Sequence, residues 1–169
     1  MKTRGGVVRQ NRRVRIDIVA YDHPDAVALI AEVQQEYVVR YGDEDQTPVD
    51  PAQFAPPHGL FLVCYLDDDP VACGGWRVHG GDVELKRMYV APRARGKGLA
   101  RAVLAELERT ALDAGYRRLI LETGTRQPEA IALYRSAGYV EVPSFGYYAE
   151  EEESVHLGKN LEAECPSTP

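Results

Sequence analysis

The chain reads as an α/β protein, a mixed, twisted sheet of about seven strands with helices on both faces. Three observations predict it. Short runs rich in β-branched and aromatic residues recur between turn signals, as in Leu60 to Leu66 and Arg118 to Thr123. Longer segments space their apolar residues at the helical period instead. The two kinds follow one another in the order β-α-(α)-β-β-β-α-β-α-β-β, with no internal repeat.

Arg15-Ile16-Asp17-Ile18-Val19 alternates at period two and opens the sheet. Asp22-His23-Pro24 is a helix start, and Val27, Ile30, Ala31, Val33, Tyr37 and Val38 then recur at helical spacing to about Tyr41. From Gly42 to Gly59 the chain turns to Pro, Asp and Gly, and reads as a loop with room for a short helix at Pro51 to Phe54. Leu60 to Leu66 and Val71 to Val78 form a hairpin across Asp67-Asp68-Asp69-Pro70, and His79-Gly80-Gly81-Asp82 turns into the strand Glu84 to Val90. The helix from Lys97 places Leu99, Val103, Leu107 and Ala111 on one stripe and stops at Gly115, a left-handed cap. Arg118 to Thr123 is a strand, and a helix from about Pro128 stops at Gly138 in the same way. Tyr139 to Val142 and Ser154 to Lys159 complete the sheet. One domain over residues 14–160 results, between a basic arm at 1–13 and a loose tail at 161–169.

At 169 residues the chain can bury one substantial core. No run has the length of a membrane span, and the basic N-terminus lacks the apolar stretch of a secretory signal. Cys64, Cys73 and Cys165 are an odd, scattered set, which fits reduced thiols in a cytoplasmic protein better than a disulfide framework. His23, His58, His79 and His156 stand apart from any zinc-type spacing, so no metal is expected. The net charge of −6 is uneven: residues 1–13 carry five cations and no acid, leaving −11 on the remainder. An acidic body disfavours nucleic acid and attracts cationic amines. The arm reads as a disordered tail, with a nucleic-acid contact as the lesser alternative.

The densest chemical signal is Arg93-Ala94-Arg95-Gly96-Lys97-Gly98-Leu99-Ala100, at a strand-to-helix junction. Two glycines there let the backbone turn tightly with N–H groups outward, and the positive end of a helix dipole favours a phosphate. A Gly-rich turn with a solvated basic tip is the plainer alternative. The spacing is not that of a Walker loop. In the strand just before it, Val83 and Leu85 share one face while Met88 and Val90 fall on the other, which a bulge would reconcile.

This junction resembles the acetyl-coenzyme-A signature of the GNAT acetyltransferase superfamily, Gln/Arg-x-x-Gly-x-Gly/Ala after the fourth strand. A second element, Gln127-Pro128-Glu129-Ala130-Ile131-Ala132-Leu133-Tyr134-Arg135-Ser136-Ala137-Gly138-Tyr139, is similar to that family's Asn-x-x-Ala-x-x-Leu-Tyr-x-x-x-Gly-Phe. The likeness runs from about Val14 to about Lys159. It implies a GNAT-like acyl-CoA N-acyltransferase fold and acetyl transfer from acetyl-CoA to a primary amine of a small molecule or peptide, by direct attack in a ternary complex.

By the same resemblance, amides of Arg95, Gly96, Lys97, Gly98, Leu99 and Ala100 hold the pyrophosphate, and the backbone of Met88, Tyr89 and Val90 lines the pantetheine arm. Gln127 stands where Asn is usual and offers its amide one methylene further out. Tyr134 matches the acid that protonates the leaving thiolate; as sequence alone, it also fits simple packing on the Ala130, Leu133, Ala137 stripe. Glu84 stands where histone-acetylating members carry their general base; the alternative is a solvated carboxylate paired with Lys86 or Arg87. The Gly42–Gly59 loop and Pro143 to Tyr148 line the acceptor side by family analogy, with acids and aromatics that suit a small cationic amine. A non-catalytic acyl-CoA-binding module is the rival, and a homodimer stays open.

Overall fold

A computed structural model describes residues 12–162. Residues 1–11 of the expected basic arm and 163–169 of the expected tail, Cys165 among them, lie outside the described residues. Seven strands stand in the order β1-β2-β3-β4-β5-β7-β6. They are β1 (Val14–Val19), β2 (Gly59–Leu66), β3 (Asp69–His79), β4 (Asp82–Val90), β5 (Arg118–Gly124), β6 (Val140–Glu141) and β7 (Ser154–Asn160). The helices are α1 (Pro24–Tyr41), α2 (Leu99–Asp113) and α3 (Pro128–Ser136), with a 3₁₀ turn at Pro51–Phe54.

β1 to β4 form an antiparallel meander. β3 begins at Asp69, before the expected Val71, because Asp67 and Asp68 both take positive φ (51° and 67°) and close a two-residue hairpin. α2 begins at Leu99 and not at Lys97, because Gly98 caps it with φ +76°. α2 is then the crossover that lets β5 run parallel to β4. β7 pairs antiparallel with β5 along seven residues, and the short β6 lies outside it.

Each face of the sheet has its own core. Leu99, Val103, Leu107 and Ala111, the stripe expected on α2, are all buried against Leu62, Val83, Leu119 and Leu121. Trp76 Nε1 donates to Thr110 Oγ1 at 3.0 Å, tying β3 to α2. On the other face Ala26, Leu29 and Val33 of α1 pack with Phe54, Phe61 and Tyr89. Tyr65 Oη donates to Asp25 Oδ2 at 2.7 Å and pins the start of α1 to β2. Cys64 and Cys73 are buried free thiols. No helix among the described residues is long and apolar enough to cross a membrane.

The bulge in β4 is present. Cys73 pairs with Tyr89 and Gly75 with Lys86, so Arg87 and Met88 both stand opposite Gly74. Arg87 takes φ +58°, a left-handed conformation uncommon for a side chain of its size. The extra residue returns Met88 and Val90 to the face of Val83 and Leu85, against the α2 core.

Candidate active site

β4 and β5 pair only at Val83 with Leu119 and Glu84 with Ile120. Past that point they part, and the gap opens a cleft of about 530 Å³. Its walls are the second half of β4, the end of β5, the first turn of α2, one side of α3 and the C-terminal half of α1. Volumes of this order hold a flexible ligand arm and a small second substrate.

One end of the cleft is the glycine turn. Gly96 and Gly98 both have φ +76°, and a Cβ on either would meet nothing within 4 Å, so their backbone faces open space. Among the described residues the amides of Gly96, Lys97 and Gly98 donate no backbone hydrogen bond outside the regular elements. They lie at the N-terminus of α2, where unpaired N–H groups and the helix dipole favour an anion. Arg95 turns toward α1: it pairs with Glu36, and its Nε donates to the carbonyl of Val90 at 3.0 Å. That carbonyl therefore already has one partner. Leu99, Ala100, Met88, Tyr89 and Val90 line the cleft with Arg95, Gly96 and Gly98; Lys97 lies outside its lining.

Tyr134 lies across the cleft on α3. Its side chain is buried, edge-on to Tyr139 with ring centroids 5.7 Å apart, and its hydroxyl bonds no described residue. Burial pushes the phenol well above its ordinary range, so it stays protonated at neutral pH. Gln127 caps α3, and its Nε2 donates to Tyr41 Oη at 3.3 Å. Gly124 makes this possible: a Cβ there would lie 1.8 Å from Tyr41 Oη.

Glu84 is placed differently. It is buried but is not part of the cleft lining. Its Oε2 lies 3.3 Å from Arg77 Nε and 3.7 Å from His79 Nδ1. Arg77 in turn donates to Pro48 O and Gln53 Oε1, and Phe145 packs between His79 and His156. The alternative of a solvated carboxylate paired with Lys86 or Arg87 is thus corrected: Glu84 is enclosed, and those two cations point elsewhere, to Asp45.

Asp45, Lys86, Arg87, Tyr37 and Glu122 line the cleft and were not singled out from sequence as site residues. Lys86 Nζ lies 3.0 Å from Asp45 Oδ2, and Arg87 Nη1 donates to the same oxygen. Burial alone would raise the Asp45 carboxyl, but Lys86, Arg87 and hydrogen bonds from Thr47 hold it well below the usual carboxylate range. Burial pushes the Glu122 carboxyl up, partly offset by Lys86. The sequence signals for this group are two cations in succession on a strand with a broken alternation and the acids of the Gly42–Gly59 loop.

The sequence profile of the acetyltransferase (GNAT) family matches residues 27–139. The chain belongs to that family. An IAA acetyltransferase from Azospirillum brasilense is 36% identical over 137 residues, covering 80% of this chain and 90% of its own. A solved Klebsiella pneumoniae structure, provisionally assigned as an acyl-CoA N-acyltransferase, superposes with TM-score 0.73 at 31% identity, covering 88% and 98%. The PaiA N-acetyltransferase of Thermoplasma acidophilum, solved with coenzyme A, shares the fold with TM-score 0.68 at 14% identity over 88% and 98%. This GNAT protein is therefore an N-acetyltransferase on the mixed seven-stranded sheet described above.

Proposed function

We propose that the enzyme binds acetyl-CoA along the gap between β4 and β5 and transfers the acetyl group to a primary amine held at the α1 side of the same cleft. The observation that supports this most is the alignment of a glycine turn, a parted strand edge and an unpartnered buried phenol in one cavity. The open backbone at Gly96 and Gly98 fits a pyrophosphate, and the strand edge at Met88 to Val90 fits an extended pantetheine arm. The solved relative with bound coenzyme A supports the same donor.

In the reaction the neutral amine attacks the thioester carbonyl carbon. A C–N bond forms and the C–S bond breaks. The departing sulfur takes the Tyr134 proton, which returns to the phenolate from water, and the amine's surplus proton leaves to a carboxylate or to water. Tyr134 suits this role because burial keeps it protonated until charge develops on sulfur. Glu84 acts at a distance, through water, because its carboxylate is outside the cleft lining. Glu122, on the next strand, is a carboxylate within the cleft lining and so the better-placed proton acceptor. Burial raises its affinity for a proton, which makes it a stronger proton acceptor than a solvated carboxylate.

Thiol release from acetyl-CoA with a panel of amines tests the proposal. Tyr134→Phe keeps the ring packed on Tyr139 and deletes only the donor. Turnover should fall by about 10²-fold or more, with acetyl-CoA affinity nearly intact. Normal turnover in Tyr134→Phe would show that this side chain only packs.

A further inference from the structure

The floor of the cleft carries an arrangement that acetyl-CoA does not explain. Successive strand residues normally face opposite ways, yet Lys86 and Arg87 converge on one carboxylate oxygen, Asp45 Oδ2. The bulge does this: Arg87, at φ +58°, is turned to the side that Lys86 already occupies. Strained conformations of this kind are retained where the surrounding structure uses them. Both cations are nearly enclosed, with side chains 7% and 4% exposed.

Asp45 satisfies this pair incompletely. It meets the guanidinium at Nη1, while Arg87 Nε is fully enclosed without a hydrogen-bond partner, the one side-chain nitrogen so placed among the described residues. A guanidinium presents its donors as a planar fork that fits a carboxylate two-on-two. Asp45 cannot turn to offer both oxygens, because Thr47 holds Oδ1 through its amide at 2.9 Å and its hydroxyl at 2.6 Å. Its backbone is on a loop segment without regular structure, attached to Gln34 of α1. Glu122 supplies the opposite sign in the same cavity. The cleft thus offers a cationic corner fitted to a carboxylate and an acidic wall fitted to an amine.

We infer that the acceptor is a free amino acid, whose carboxylate takes the place Asp45 fills between Lys86 and Arg87 while its amino group faces Glu122. The inference rests on the acetyl transfer proposed above and narrows its acceptor. It departs from the small cationic amine that the acidic composition suggested, because the local charge at β4 is the reverse of the net charge. Asp45 then acts as an internal stand-in, displaced as the acceptor enters.

The test titrates the coenzyme-A-saturated protein with the common L-amino acids and with their carboxamides, which keep the amine and lose the negative charge. Thiol release is measured with the same compounds and acetyl-CoA. At least one amino acid should bind, and its kcat/KM should exceed that of its carboxamide by about 10²-fold, since the neutral amide cannot replace the Asp45 carboxylate between the two cations. Asp45→Asn should tighten amino-acid binding several-fold. Arg87→Met should abolish the preference for acid over amide and leave the KM for acetyl-CoA unchanged. If Arg87→Met does not fold, Lys86→Gln carries the same expectation.

Carboxamides that bind and react as well as the acids, an Asp45→Asn protein that binds the acid more weakly, or no amino-acid binding at all would overturn the inference. Amino-acid binding with no thiol release from any acceptor would instead sink the acetyl-transfer proposal and leave the carboxylate site standing.

Discussion

Glu122 enters the cleft from β5, half-buried, with Lys86 and Asp45 both near enough to act on its charge. Burial raises its folded-state proton affinity above the ordinary value near 4.5, so the folded protein binds the proton more tightly than the unfolded chain. Stability linked to this group is therefore present at low pH and is lost as pH rises from the unfolded pKa through the folded one. Glu122→Gln removes that loss. The variant should be more stable than the parent at pH 7, with the advantage shrinking as pH falls toward 4.5, which urea melts across that range would read. Its turnover should nonetheless drop at neutral pH and recover as pH approaches the acceptor amine's own pKa. An advantage that grows on acidification would place the carboxylate in a charged, well-solvated site instead.

At the scale of elements, the turn between β4 and α2 depends on two glycines held at φ +76°. Side chains rarely adopt that conformation, and one at Gly98 would also project into the cleft end that α2 points at. Gly98→Glu adds a carboxylate where a pyrophosphate is proposed to lie, so calorimetric titration should show acetyl-CoA affinity lost by about 10²-fold or more. Wild-type heats from a folded variant would remove the cofactor from this loop. The join between β5 and α3 is constrained differently: Gly124 gives room to Tyr41 from α1, which in turn receives Gln127. Gly124→Ala should lower stability and weaken the α1–α3 contact together, read as a fall in Tm and faster hydrogen exchange at the start of α3.

Across the whole molecule, the cleft exists because two cores clamp a sheet that is not paired throughout. α2 packs its stripe under β3 and β4, α1 packs over the other face, and the two halves of the sheet are joined by only two parallel residue pairs. Leu107 sits in the middle of the α2 stripe with no exposed surface. Leu107→Ala should cost about 2–5 kcal/mol, the range for a buried leucine leaving a cavity. The loss belongs to global stability, so urea unfolding should shift while acetyl-CoA affinity of the folded fraction changes little. A cost under about 1 kcal/mol would mean that α2 can settle into the gap, contrary to the close packing seen there.

Much of this was legible from local pattern. The stripe Leu99, Val103, Leu107, Ala111, the caps at Gly115 and Gly138, the glycine turn and the bulge at Arg87 and Met88 all follow from residue spacing, because periodicity and backbone permissiveness act between near neighbours. The spacing of Gln127, Tyr134 and Tyr139 carried the family as well. Tertiary structure alone decided the charges. Asp45 stands far before Lys86 and Arg87 in the chain and Glu122 far after them, yet all four meet because the bulge, the loop after α1 and the end of β5 converge at the parted strands. Glu84 could pair in sequence with either neighbouring cation, but its side chain faces Arg77 across the β3–β4 ladder instead. Charge pairing depends on distance and burial in space, and neither is a property of order along the chain.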